Sequence, residues 1–354
     1  MKVYHVSTVF VLLALLLAAC GPSGGGAKVL NLYAWSEYVP QTMLDGFTEQ
    51  TGIKVNYDSY SSNEELLAKL QAGASGYDVI VPSDYIVSIM IHQGMLEELD
   101  FSKVPNFANI DTEFTNPSFD PGNKYTVPYQ WGTTGLLYDP TVVPFEPTRW
   151  ADLWDPAFAN RLVALDDERE IIGIALQVLG YDKNTTDPQQ LEEARQKLLE
   201  LMPNIRLFDS DSPQSAILSG EAWAGIVWNG NASLGYAEDQ NLVYICPEEG
   251  CGIWFDNLAI PKNAPHKDAA LQFIDYVLNA EASILITMEF PYSNPNAAAL
   301  EYLKTSDPEL YDSYMAFAGT NPPQDFLAMA TLIIDVGEAT TIYDRIWTEI
   351  KGGE

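Results

Sequence analysis

Histidine and cysteine are scarce in this chain, with three of each among 354 residues. A two-thiol metal site at Cys246 and Cys251 finds no supporting cluster in His5, His92 and His266, so no metal is expected. Basic residues are few as well: 18 Lys and Arg stand against 49 Asp and Glu, for a formal net charge of −31. Such a surface repels nucleic acid and draws small cations toward it, besides keeping the protein soluble. Nucleophile triads, phosphate-binding P-loops and zinc motifs are missing, and no cofactor is expected. There are no tandem repeats. What is present is a globular composition, 47% hydrophobic and 12% aromatic, over a length that favours two domains.

The N-terminus has a pattern of its own. Lys2 precedes an apolar run from Val9 to Cys20, too short to span a bilayer but suited to the core of a signal peptide. The run ends Leu17-Ala18-Ala19-Cys20-Gly21, which resembles the bacterial lipoprotein signal; ordinary cleavage after the small residues is the other reading. The lipoprotein reading removes residues 1–19, acylates Cys20 and leaves 20–27 as a Gly-rich flexible tether to a membrane. In an oxidising compartment Cys246 and Cys251, spaced as CPEEGC, are candidates for a short disulfide.

The first mature segment alternates between strand and helix patterns. VLNLYA predicts a strand, PQTMLDGFTEQTG a helix opened by Pro40 and closed by Gly52, and IKVNYDSY a strand. Asn63 is the expected cap of EELLAKLQAG, and YDVIVPS predicts a buried strand. This βαβαβ order implies an α/β fold with a parallel sheet and ligands at the carboxyl ends of its strands. A second α/β pattern starts near Gly132. It runs through the strand RLVAL, the helix EREIIGIALQVLG, the helix DPQQLEEARQKLLELMP, the strand IRLF, a short helix and the strand AGIVW. GIWFDNLAIP predicts a further strand, and HKDAALQFIDYVLNAEASILI helix.

Aromatic, acidic and hydroxyl side chains gather at the boundaries of these elements. They are Trp35-Ser36-Glu37-Tyr38, Ser83-Asp84-Tyr85, Asp167 with Glu170, Ser210 with Asp211, Trp228, Trp254 with Asp256, and Tyr292. Carboxylates bind ammonium groups by charge-assisted hydrogen bonds, and indole and phenol faces hold methylenes and attract cations. A long, thin organic cation is the ligand such a set suits. Each motif also has a plain structural reading. Asp167-x-x-Glu170 before an apolar helix is a capping-box variant, and Trp228 before NGN could be a core residue ahead of a loop. Trp254 and Asp256, two apart on a strand, face the same side, which is unusual for a core strand. A glycosidase pair at Asp167 and Glu170 is the remote alternative. Two acids one helical turn apart do not readily flank a scissile bond.

YAWSEYVP, TGIKVNYDSYSSNEELLAKL, YDVIVPSDY, VPYQWGTTGLLYD, WADLWDPAF, DDEREIIGIAL, GIVWNGN, GIWFDNLAIP and YSNPN occur in that order between Val29 and Lys351. In these motifs the chain resembles the bacterial spermidine/putrescine-binding proteins, the substrate-binding subunits of polyamine ABC importers. The resemblance implies a type II periplasmic binding protein fold, with two α/β lobes that close over the ligand about crossing strands. It places lobe one at 28–132 and 256–305 and lobe two at 133–255 and 306–354, with crossings near Trp131–Gly135, Trp254–Asn257 and residue 305.

Carried over by residue, the resemblance assigns an aromatic box to Trp35, Tyr38, Trp228, Trp254 and Tyr292. Ammonium-binding acids fall at Glu37, Asp167, Glu170 and Asp256, and supporting hydroxyls at Ser36, Ser83, Tyr85 and Ser210. Ile333 stands where the family has a Gln. Four carboxylates around a trication imply spermidine bound more tightly than putrescine, since a dication leaves two charges unbalanced. The implied protein is a monomer and not an enzyme. It sits outside the cytoplasm, anchored by lipid, and hands its polyamine to a membrane permease. A polyamine sensor contacting a membrane receptor, or the same fold holding another small cation, are the other readings.

Overall fold

The structure, a computed structural model, describes residues 28–73 and 76–352. The expected leader, the lipidation site at Cys20 and the tether lie outside the described residues. Ten strands form one continuous sheet: β1 (Val29–Trp35), β2 (Lys54–Tyr60), β3 (Val79–Ile80), β4 (Thr126–Tyr138), β5 (Leu162–Ala164), β6 (Ile205–Phe208), β7 (Ala224–Trp228), β8 (Val243–Ile245), β9 (Gly252–Ala259) and β10 (Thr331–Leu332). Their order is β2-β1-β3-β9-β4-β7-β5-β6, with β8 added to β4 and β10 to β9.

The two halves are parallel within themselves. β1 pairs in parallel with β2 and β3, and β5 with β6 and β7, as alternating strands and helices require. Between them β4 and β9 run antiparallel, from Thr126 opposite Ala259 to Thr134 opposite Gly252. This ribbon belongs to both halves. Apolar burial divides on either side of it. One core draws on Leu30 to Tyr129, Trp254 to Tyr292 and Ile333; the other side holds a core from Leu136 to Ile226 and Val336 to Ile350 and a smaller one from Leu137 to Tyr244.

Beyond residue 305 the chain keeps to the first half for one more helix. The helices Ala297–Ser306 and Pro308–Ala316 stay on the first half, where the Tyr314 hydroxyl donates to the Tyr292 carbonyl at 2.8 Å. The chain first reaches the second half at Phe317, whose ring stacks on Tyr236 with centroids 4.2 Å apart. The aromatic side chain, not the helix end, marks the passage.

Local start and stop signals act where expected, with one exchange. The helix Gln41–Thr51 follows Pro40 and ends at Gly52, which takes φ +71°. At the next helix, Asn63–Gln71, the cap is Ser62 and not Asn63: the serine Oγ accepts from the Glu65 amide. Asn63 is buried one residue further on and accepts from the Ser83 amide at 3.2 Å, tying the helix to the end of β3. A side chain recruited by tertiary structure cannot also cap its own helix. Cys246 and Cys251, after β8 and before β9, are joined in a disulfide.

Candidate functional site

The carboxyl ends of β1, β3 and β7, and the middle of β9, face one cleft between the halves. Trp35, Ser36, Glu37, Tyr38, Ser83, Tyr85, Asp167, Glu170, Ser210, Trp228, Trp254, Asp256 and Tyr292 all line it. Asp84, Asp211, Asn63, Ser61 and Ile333 complete the wall.

The aromatic walls interlock edge to face. Trp35 ends β1 and donates its indole N–H to the Val81 carbonyl at 3.0 Å, which fixes the ring. It meets Trp228 from the opposite half with centroids 5.6 Å apart. Tyr292 stands edge-on to both Tyr38, at 5.1 Å, and Trp254, at 5.5 Å. Trp228 does not precede a loop: it ends β7 at the start of the helix Asn229–Glu238. Gly230 follows on that helix, where a Cβ would come within 2.4 Å of the Tyr292 ring. Only glycine lets these two elements meet at the cleft. The Trp254 indole N–H is buried with no partner in the structure.

The acids differ in what they already hold. Asp256, 4% exposed, accepts from the Tyr38 hydroxyl at 2.6 Å and from the Ser83 hydroxyl. Burial pushes its carboxyl up to about 7, although both hydroxyls pull it down. Asp167 caps the helix Glu168–Val178 by accepting from the Glu170 amide at 3.0 Å. Its pKa is also raised, first by burial and then by the charges of Glu64 and Glu170. Glu37 is exposed at the rim in a left-handed turn with φ +46°. Partial burial and then Asp211 and Asp209 raise its pKa. Among the described residues, none of these three carboxylates has an ion-pair partner, and such groups favour a cation arriving between them.

Glu170 is different. The second half of the capping box is absent, because its carboxylate turns away from the helix start. It accepts from Thr134 Oγ1 at 2.7 Å and pairs with Lys183 Nζ at 2.7 Å. The four-carboxylate count behind the expected spermidine preference therefore includes one acid already neutralised by the chain.

Hydroxyls serve the frame more than the cavity. Ser210 Oγ accepts from the Asp166 amide at 2.9 Å, and the Tyr85 hydroxyl donates to Glu64 at 2.8 Å. The Ser36 hydroxyl donates to Asp211 across the cleft. Asp84, adjacent to two expected residues, is pushed up to about 8 by burial while it accepts from the Tyr85 and Phe255 amides. Its signal was its place in Ser83-Asp84-Tyr85. Lys183, in a loop of ordinary polar residues, gave none. No group of His, Cys, Asp and Glu suited to a metal occurs among the described residues.

Two α/β lobes on a shared antiparallel ribbon, with an aromatic and acidic cleft between, define a solute-binding protein. Residues 42–318 match the family model for bacterial extracellular solute-binding proteins. The chain belongs to that family and has its type II fold. It is 40% identical over 342 residues, 96% of each chain, to the spermidine/putrescine-binding periplasmic protein of Salmonella typhimurium. A solved structure assigned to a spermidine/putrescine ABC transporter of Listeria monocytogenes superposes with a TM-score of 0.87 at 32% identity, covering 92% of this chain and all of that one. The substrate-binding protein of such a transporter from Streptococcus pneumoniae gives 0.74 at 35% identity, covering 92% and 99%.

Proposed function

We propose that this protein binds a linear polyamine outside the cytoplasm and delivers it to the membrane permease of an ABC importer. Asp256 is the observation that carries the reading. A carboxylate enclosed by Tyr38, Trp254 and Tyr292, given two hydroxyl donors and no cation of its own, is a receptor for an ammonium group. The edge-to-face aromatic walls on either side suit a methylene chain. Asp256 inside and Glu37 at the rim are the ammonium ligands, with Asp167 held at its helix start beside them, and the hydroxyls of Tyr38 and Ser83 fix the innermost one. A neutral sugar would bury these acids with no cation to balance them, and the protein acts by binding rather than by turnover.

The lobes close as one hinge about β4 and β9, with lobe two taking up the chain again beyond Phe317. The mature chain is a monomer held to a membrane by lipid on Cys20. Labelled palmitate entering the wild type but not Cys20→Ala tests the anchor. Calorimetric titration with putrescine, spermidine and neutral 1,4-butanediol tests the ligand. Micromolar or tighter binding of a polyamine, with none of the diol, is expected; heat from the diol, or from neither amine, overturns the reading.

A further inference from the structure

We propose that Lys183 acts as a resident ammonium that sets the charge of the ligand, so that the cleft selects a diamine dication over a triamine trication. This rests on the polyamine reading above. Lys183 Nζ lies 2.7 Å from Glu170 Oε2, and the two side chains are 1% and 3% exposed. The other carboxylate oxygen of Glu170 is taken by Thr134. Glu170 thus lines the cleft with both oxygens engaged.

The lysine is held by design of the surrounding backbone. A Cβ on Gly173 would come within 2.7 Å of the Lys183 stem. One on Gly252 would come within 3.0 Å of both Lys183 Nζ and Glu170 Oε2. Glycine occupies both places where any other residue would crowd the pair. The loop that carries Lys183 is anchored as well: Tyr343 donates to the Thr185 carbonyl at 2.9 Å, and Asn184 donates to the Leu332 carbonyl at 2.8 Å.

A ligand ammonium that used Glu170 would share a carboxylate whose charge Lys183 already balances, and would meet Lys183 as a like charge across it. That penalty falls on the ligand's third charge. Asp167 already gives one oxygen to its helix, where the N-terminal dipole offsets its charge. Asp256 and Glu37 then remain as the unspent pair, and two ammonium groups balance them. Specificity here is built by repulsion as much as by attraction.

Titration of the wild type and of Lys183→Met with putrescine and spermidine tests this. The wild type is expected to bind putrescine at least as tightly as spermidine. Lys183→Met frees Glu170 and shifts the affinity ratio toward spermidine by about tenfold or more. Adding Glu170→Gln to that variant cancels the gain, which a loss of packing alone would not do. Lys183→Gln, which keeps a donor but no charge, replaces the Met variant if that one fails to fold, and the same shift is expected. A ratio unchanged within roughly threefold in folded variants overturns the proposal. So does a wild type that binds spermidine about tenfold more tightly than putrescine. Binding of neither amine by the wild type removes the polyamine reading itself, a failure distinct from a misplaced preference.

Discussion

Tyr38 and Asp256, 218 residues apart in the chain, meet at 2.6 Å, the phenol donating to the carboxylate at the middle of the hinge ribbon. Tyr38 comes from the turn after β1 and Asp256 from β9, which both lobes share. The contact therefore ties the proposed ammonium site to the first lobe, whatever the second lobe does.

Removing that anchor has separable effects on binding and stability. Truncating one partner of a buried, hydrogen-bonded charge pair costs about 2–5 kcal/mol, so Asp256→Ala is expected to weaken polyamine binding by about thirtyfold or more. Tyr38→Phe removes one of two donors and is expected to cost about 1 kcal/mol, or roughly fivefold. Neither change should lower the melting temperature of the unliganded protein at pH 8, because burial already opposes the Asp256 charge. Calorimetry gives the affinities, and thermal unfolding gives the stabilities. A fall in melting temperature as large as that of a core truncation would make Asp256 a structural residue.

Ser36 and Asp211 form a latch across the cleft mouth. Ser36 belongs to the first lobe and Asp211 to the second, and the hydroxyl–carboxylate contact between them exists only when the lobes are together. Ser36→Ala is expected to destabilise the closed form by about 0.5–1.5 kcal/mol. The effect should fall on release, since the encounter is made with the lobes apart. Stopped-flow measurement of tryptophan fluorescence, with Trp35 and Trp228 facing each other at the same mouth, should show release several-fold faster and association little changed. A slower association with unchanged release would place the contact on the way in.

Much of the cleft was legible in the sequence because its residues sit at punctuation points. Strand ends, helix caps and the period-two spacing of Trp254 and Asp256 are local features, and all bring their side chains to the cleft. What escaped depended on contacts between distant segments. Lys183 reaches Glu170 from a loop that no periodicity marks. Asn63 was read as a cap, but Ser83 claims its side chain. The helix Pro308–Ala316 carries no sign in its sequence of what it packs on, and the Tyr314 hydroxyl joins it to Tyr292 and Asn294.

Proton release is the last expected signature of the site, and its sign follows from the raised carboxyls. Asp256 stands near 7 in the folded, unliganded protein against 3.8 for a free side chain. Between those values the native state holds a proton that the unfolded chain has lost. Asp256 therefore favours folding least above about pH 7, and its contribution improves as pH falls toward 4. Asp84, near 8, extends the same trend. A polyamine reverses the balance, since an ammonium beside Asp256 favours the carboxylate and drives the proton off. Amines of this class remain charged well above neutral pH. Affinity should therefore rise as pH goes from 5 to 8, as the carboxyl loses the proton that competes with the ligand. Titrations at pH 6 in buffers of different ionisation enthalpy should report net proton release, shrinking toward pH 8.5. Proton uptake, or an affinity flat across that range, would mean that the ammonium groups do not meet the buried carboxylate.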